Sequence, residues 1–222
     1  MDLPPRAETL PLRHARQFSL RELLVLTFAA SLILAIAVSS RGSTRFGALS
    51  SPWALAALSP IVAVLVVGRF QLASPRALAA LSIAIYAASL CTPALGFELG
   101  SSSAIWGYQA LHFSLWIFPE LVSNFLDSWT FDRLWGPVVC LMGNLTNVAF
   151  VVSVILFFVG TKNPKAYAFC RRTALLGALM AIAVLTAFLF EGDIKVIYPG
   201  YGLWIASLLA MALAAKRARS PL

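Results

Sequence analysis

The residues best suited to acid–base or metal chemistry lie in one segment between two apolar runs. His112, Glu120, Asp127 and Asp132 all fall within residues 97–135. One imidazole and three carboxylates could bind a divalent cation or form an acid–base pair. Their spacing supports neither, because no H-E-x-x-H sequence and no close pair of carboxylates occurs among them. We therefore expect a solvated segment with no catalytic residue, no metal and no cofactor.

A second polar group lies inside an apolar run. Asn144 and Asn147 are three residues apart, so on a helix both side chains project from nearly the same face, with Thr146 beside them. An amide in hydrocarbon needs a partner, and hydrogen bonds between helices commonly supply one. The alternative is that these side chains line a polar path through a carrier or channel. Ser82, Tyr86 and Ser89 form a similar polar stripe, typical of a packing face.

The composition predicts that the bilayer is the solvent for most of the chain. Of the 222 residues, 60% are hydrophobic and only 12% are charged, about half the charged fraction of a soluble domain. The net charge of +8 could suggest nucleic acid. The basic residues lie at the ends of apolar runs, however, as topology determinants beside anionic lipid do. We therefore expect the bilayer, and no nucleic acid, as a partner.

Six segments are long and apolar enough to span a membrane as helices: 22–40, 48–68, 77–96, 136–160, 173–190 and 197–215. None has the alternating pattern of a barrel strand. The sequence therefore predicts an all-α integral membrane protein of about six spans. Residues 1–17 would form a flexible cytoplasmic tail and residues 18–222 a single membrane domain.

The distribution of charge predicts the orientation. With a cytoplasmic N-terminus, thirteen of the seventeen Lys and Arg residues fall on the inner side, and both termini are cytoplasmic. The four on the outer side are Arg41, Arg45, Arg133 and Lys195. A seventh span over 104–126 would remove this bias and bring His112 and Glu120 into or near the hydrocarbon. If the first span is instead a cleaved signal peptide, the orientation of the remainder is unchanged.

The outer loop, residues 97–135, is rich in aromatic side chains. It holds ten of the 26 aromatic residues. We expect Ile105–Phe118 to form a short helix that lies on the outer face or re-enters it, with Pro119 at its end. A surface for a peptide, lipid or glycan is the alternative. The predicted interface anchors are Trp106, Trp116, Trp129 and Trp135, with Tyr198, Tyr201 and Trp204 at the start of the last span.

The three cysteines lack metal-ligand spacing. Cys91 and Cys140 would both lie toward the outer side, where a disulfide between them is one interpretation and two free buried thiols the other. Cys170 would lie on the reducing side.

Two short motifs resemble a pattern in small uncharacterised bacterial polytopic inner-membrane proteins. Gly143-Asn144-Leu145 is similar to an A-N-P sequence within a span, with leucine in the place of the proline. Pro199-Gly200-Tyr201-Gly202-Leu203-Trp204-Ile205-Ala206-Ser207 is similar to a G-Y-x-L-W-x-x-S sequence in the last span. The resemblance covers roughly the C-terminal half. It implies a multi-pass protein of the bacterial inner membrane and carries over no function.

These features favour a non-catalytic membrane interaction or accessory subunit, whose partner is another membrane protein or a second copy of the chain. A small carrier or channel with a path at Asn144 and Asn147 is the alternative. A further alternative is an intramembrane enzyme acting on a lipid-linked substrate, for which His112 and Glu120 would be the reacting groups.

Overall fold

A computed structural model describes residues 52–70, 72–97, 103–128, 131–160, 163–191 and 194–219. These form the helices α1 (Pro52–Phe70), α2 (Pro75–Leu90), α3 (Gly107–Ser128), α4 (Phe131–Val159), α5 (Pro164–Glu191) and α6 (Pro199–Arg219), and the strands β1 (Pro93–Phe97), β2 (Ser103–Trp106) and β3 (Ile194–Ile197). Within these described ranges, three helices are long and apolar enough to cross a membrane, over Trp53–Phe70, Gly136–Val159 and Pro164–Leu189. The predicted mainly helical structure is therefore confirmed, and the three apolar helices support a membrane protein. The predicted tail and the predicted first span, 22–40, lie outside the described residues.

Helix α6 forms the centre of the bundle and contacts α1, α2 and α5. Gly202, Ala206, Ala210 and Ala214 recur every four residues and are buried, so neighbouring backbones approach this face closely. At Gly202, a Cβ atom would overlap the backbone carbonyl oxygen of Ala57 in α1. The last predicted span is thus the helix against which α1, α2 and α5 pack.

The helices around α6 turn large apolar side chains outward. Examples on α1, α4 and α5 are Leu55, Val62, Val66, Val148, Ile155, Leu176 and Leu179. Apolar surface of this extent is costly in water and stable in hydrocarbon. These faces therefore suit contact with lipid or with another membrane protein.

Basic side chains gather at one end of the bundle. The Arg217 guanidinium donates to the carbonyl oxygens of Val67 (3.1 Å) and Gly68 (2.7 Å), and also to that of Ala73. It thereby satisfies carbonyls at the C-terminus of α1, and its partial burial lowers its pKa from the ordinary arginine value. The rings of Phe157 and Tyr167 pack against each other with their centroids 5.5 Å apart, beside the start of α2. The α4–α5 connection therefore lies at the same end of the bundle. Among the described residues, the basic side chains at or near this end are Arg69, Arg76, Lys165, Arg171, Arg172, Lys216, Arg217 and Arg219.

A small antiparallel sheet of order β2-β1-β3 lies at the other end. Leu95 in its central strand pairs with Ile105 on one side and Ile197 on the other. The sequence predicted one continuous helical span over 77–96, and the structure corrects this: α2 ends at Leu90 and β1 follows. Pro93 explains the break, because proline cannot donate to a helical ladder and disfavours a helical conformation at the residue before it.

Helix α3 differs from the predicted helix at both ends. It begins at Gly107 rather than Ile105, because the two residues before Gly107 belong to β2. The Gln109 side chain accepts from the Trp106 backbone N–H (3.0 Å) and so caps the first turn. Pro119 lies inside the helix instead of ending it, since the turns beyond it pack on α4, where Leu121 lies against Gly136. Helix α3 has 22 residues and is not among the three apolar helices found above.

Candidate functional site

Asn147 joins three helices through its side-chain amide. Its Oδ1 accepts from the Tyr86 hydroxyl of α2 (2.9 Å) and from the Trp204 indole N–H of α6 (3.0 Å). Its Nδ2 donates to the Gly143 carbonyl oxygen one turn earlier (3.2 Å). One amide thus gives an acceptor to two partly buried aromatic donors. The predicted packing face on α2 contacts α4 and α6. In addition to the Tyr86 bond to Asn147, the Ser82 hydroxyl donates to the Ser207 carbonyl oxygen of α6 (2.7 Å).

Asn144 joins α4 to α3. Its Oδ1 accepts from the Ser114 hydroxyl (2.8 Å), and its Nδ2 donates to the Ser114 carbonyl oxygen (3.4 Å). Thr146 turns the other way, is fully buried and donates to the Met142 carbonyl oxygen (2.9 Å). The structure therefore directs the three predicted intramembrane residues to different neighbours instead of gathering them on one polar wall.

A cavity of about 360 Å³ lies among α2, α3, α4, α5, the start of α6 and the sheet, at the end away from the basic side chains. Its wall is overwhelmingly apolar, and it is partly open to the surface. The polar side chains in its wall have partners: Ser89 donates to the Tyr86 carbonyl oxygen (2.7 Å), and Tyr201 donates to that of Ala181 (2.6 Å). Across the part of the chain that the structure describes, no buried side-chain nitrogen or oxygen lacks a hydrogen bond.

The predicted aromatic anchors divide into two groups. Trp106 and Trp116 are exposed, Trp116 to 77%, and Tyr198 is half-buried with its ring 5.6 Å from that of Trp53. Tyr201 is only 4% exposed, and Trp204 bonds inward to Asn147. The last two are therefore corrected from interface anchors to interior residues, because the start of α6 enters the bundle. Trp135 belongs to α4, and Trp129 lies outside the described residues.

The candidates for acid–base chemistry are spread along a helix. His112, Glu120 and Asp127 lie on exposed positions of α3. His112 and Glu120 are eight residues apart, about 12 Å along a helix axis, which is too far for direct proton transfer between them. Asp132 lies in the first turn of α4. Among the residues that the structure describes, no group of three His, Cys, Asp or Glu side chains could hold a metal ion.

The sequence did not identify Ser114, Cys140 or Gly143 as residues of this cavity. Ser114 is 30 positions from its partner Asn144, so no local pattern indicates the pair. Cys140 and Gly143 line the cavity from α4, and a Cβ atom built at Gly143 would meet nothing within 4 Å. The one available signal is a glycine one turn before Asn147 in an apolar helix, which is unfavourable for helix stability and so indicates some other constraint.

Comparison of the chain with protein-family models, curated proteins and solved structures finds no match. The groups described here hold helices together and enclose an apolar space. Among them, no nucleophile is paired with a base and no acid with a base.

Proposed function

We propose that the chain is a six-span protein of the cell (inner) membrane with both termini cytoplasmic. In this proposal it acts as a non-catalytic interaction or accessory subunit. Its partners are the lipid bilayer and either another membrane protein or a second copy of the chain. Its outward apolar faces on α1, α4 and α5 supply the surface for these contacts.

The gathering of charge supports the orientation. Basic residues of the α1–α2 connection, the α4–α5 connection and the end of α6 lie at one end, which under the positive-inside rule is cytoplasmic. Helix α3 packs on the N-terminal half of α4, with Ser114 beside Asn144 and Leu121 beside Gly136. It therefore lies toward the opposite end, as an interfacial or re-entrant helix of the outer face that carries Glu120 and Asp127.

The main support for a non-catalytic role is that both asparagine side chains form hydrogen bonds to neighbouring helices. A polar path needs donors and acceptors that a passing solute can use. Asn147 is held by Tyr86 and Trp204, and Asn144 by Ser114. The space beside them is apolar. These contacts support packing over transport.

The alternatives make different predictions. A carrier requires water beside Asn144 or Asn147. An enzyme acting on a lipid-linked substrate requires that replacing His112 or Glu120 abolishes activity while membrane insertion stays normal. These two residues are exposed and far apart on α3. This arrangement argues against proton transfer between them and against joint action on one substrate atom.

The proposal is tested by the access of water to the middle of α4. Single cysteines replace Asn144 or Asn147 in a chain without its native cysteines, and a small impermeant thiol reagent is added to sealed membranes from outside. We expect labelling at both positions to be at least tenfold slower than at an Asp127→Cys control. A chain that keeps only native Cys140, which lines the cavity, reports on the same space with both asparagines intact. Labelling of Cys140 or of position 147 at the control rate would overturn the non-catalytic proposal in favour of a carrier or enzyme.

A further inference from the structure

We propose that the apolar cavity binds one hydrocarbon chain of a membrane lipid. The inference goes beyond the role proposed above, because it concerns a ligand site in the bundle and does not depend on which end is cytoplasmic. It rests on the chemistry of the wall, the size of the space and the residues that keep it open.

The wall suits hydrocarbon and does not suit water. Helix α3 contributes Leu111 and Ile117, α4 contributes Val139, α5 contributes Phe188 and the sheet contributes Ile105. The wall hydroxyls and amides are engaged in hydrogen bonds within the protein. A water molecule is stable in a cavity only with about two to four polar partners, and this overwhelmingly apolar wall offers few. An apolar occupant needs none.

The size of the cavity suits a ligand rather than a packing defect. Its volume is about 360 Å³, within the range of about 300–1,000 Å³ that is usual for ligand sites. An empty space of this size deprives its wall of dispersion contacts. Lipid chains are the most abundant apolar molecules around a partly open cavity in a membrane protein, and a single chain has the slender shape that can enter from the side.

The residues around the cavity keep the space open. A Cβ atom at Gly143 would project into it without meeting any atom within 4 Å. Ala110 of α3 also lines the cavity with a small side chain. The Ser114–Asn144 pair holds α3 against α4 beside the opening. The exposed Trp116 and Leu115 on the outer side of α3 suit contact with lipid next to the site.

The test uses the full chain in phosphatidylcholine vesicles that contain a phosphatidylcholine with a diazirine on one acyl chain. After illumination, mass spectrometry maps the adducts residue by residue. We expect adducts on the cavity residues Ile117 and Val139 as well as on outward residues such as Ile155. Gly143→Phe fills the cavity and should lower the cavity adducts at least fivefold, with no change at Ile155. Val148→Phe, on the outward face of the same helix, is the matched control and should change neither.

A second variant keeps the test decisive if Gly143→Phe fails to fold. Ala110→Phe narrows the cavity from α3 and should give the same selective loss. Adducts confined to outward residues in the unmodified chain would mean that another part of the protein or a second copy fills the space, and would overturn the inference. Cavity adducts that persist in a folded Gly143→Phe or Ala110→Phe protein would overturn it as well.

Discussion

Replacing Asn147 with leucine is expected to lower the free energy of unfolding by about 2–4 kcal/mol. The substitution removes the acceptor for the Tyr86 hydroxyl and the Trp204 indole N–H. Each partly buried donor then loses its acceptor, and an unpaired donor away from water costs more than the net value of the bond it lost. Reversible unfolding in mixed micelles, followed by helical circular dichroism, measures the change.

Two further variants separate the amide network from general packing. Asn144→Leu removes a link only to Ser114 on the peripheral helix α3 and should cost about 1 kcal/mol, the scale of one interhelical hydrogen bond in a membrane. Tyr86→Phe in the Asn147→Leu background removes one of the stranded donors and should recover part of the loss. Equal stability of Asn147→Leu and the unmodified protein would contradict the assignment of Asn147 as the link among α2, α4 and α6.

Replacing Gly202 with alanine is expected to destabilise the bundle by about 3 kcal/mol or more, because the added methyl group would overlap the backbone carbonyl of Ala57. A backbone atom cannot rotate aside as a side chain can, so α1 and α6 must separate. The matched control is Gly143→Ala, whose methyl group meets open space. Improved helix propensity should stabilise that variant by about 0.5–1 kcal/mol.

The two glycine-to-alanine substitutions are expected to change the stability of the protein in opposite directions. Both positions lie in apolar helices, and both changes add one methyl group. The midpoints of thermal unfolding in the same detergent compare them directly. A Gly202→Ala protein as stable as Gly143→Ala would show that α1 and α6 do not approach each other as described.

The long apolar runs predicted most of the helices, because chain length and hydropathy are local properties. The runs at 48–68, 136–160, 173–190 and 197–215 overlap α1, α4, α5 and α6. The strand after α2 was less visible, since Pro93-Ala94-Leu95 is as apolar as the helix it follows. Its signal was the proline itself, which marks the end of a helix without indicating the strand that pairs beyond it. Proline was equally ambiguous at position 119, where packing of α3 on α4 maintains the helix.

The site was predictable only in part, because its contacts join distant positions. The sequence indicated that Asn144 and Asn147 need partners, and interhelical hydrogen bonding was one of two interpretations it left open. It could not identify Ser114 as one partner. Tyr201 and Trp204 show the same limit: aromatic residues at the start of a span usually indicate an interface, whereas here close packing around α6 brings them inside.

A membrane bundle with its basic end cytoplasmic and α3 on the outer side places two exposed positions on opposite sides of the membrane. Their accessibility from each side can be measured. Asp127→Cys in α3 and Arg219→Cys at the end of α6 are each made in a chain without native cysteines and probed with an impermeant thiol reagent. We expect position 127 to react in sealed, right-side-out membranes and position 219 to react only after permeabilisation. The reverse result would mean that the bundle is inverted, with its basic end outside and α3 on the inner side, and would contradict both the cytoplasmic basic end and the outer position of α3.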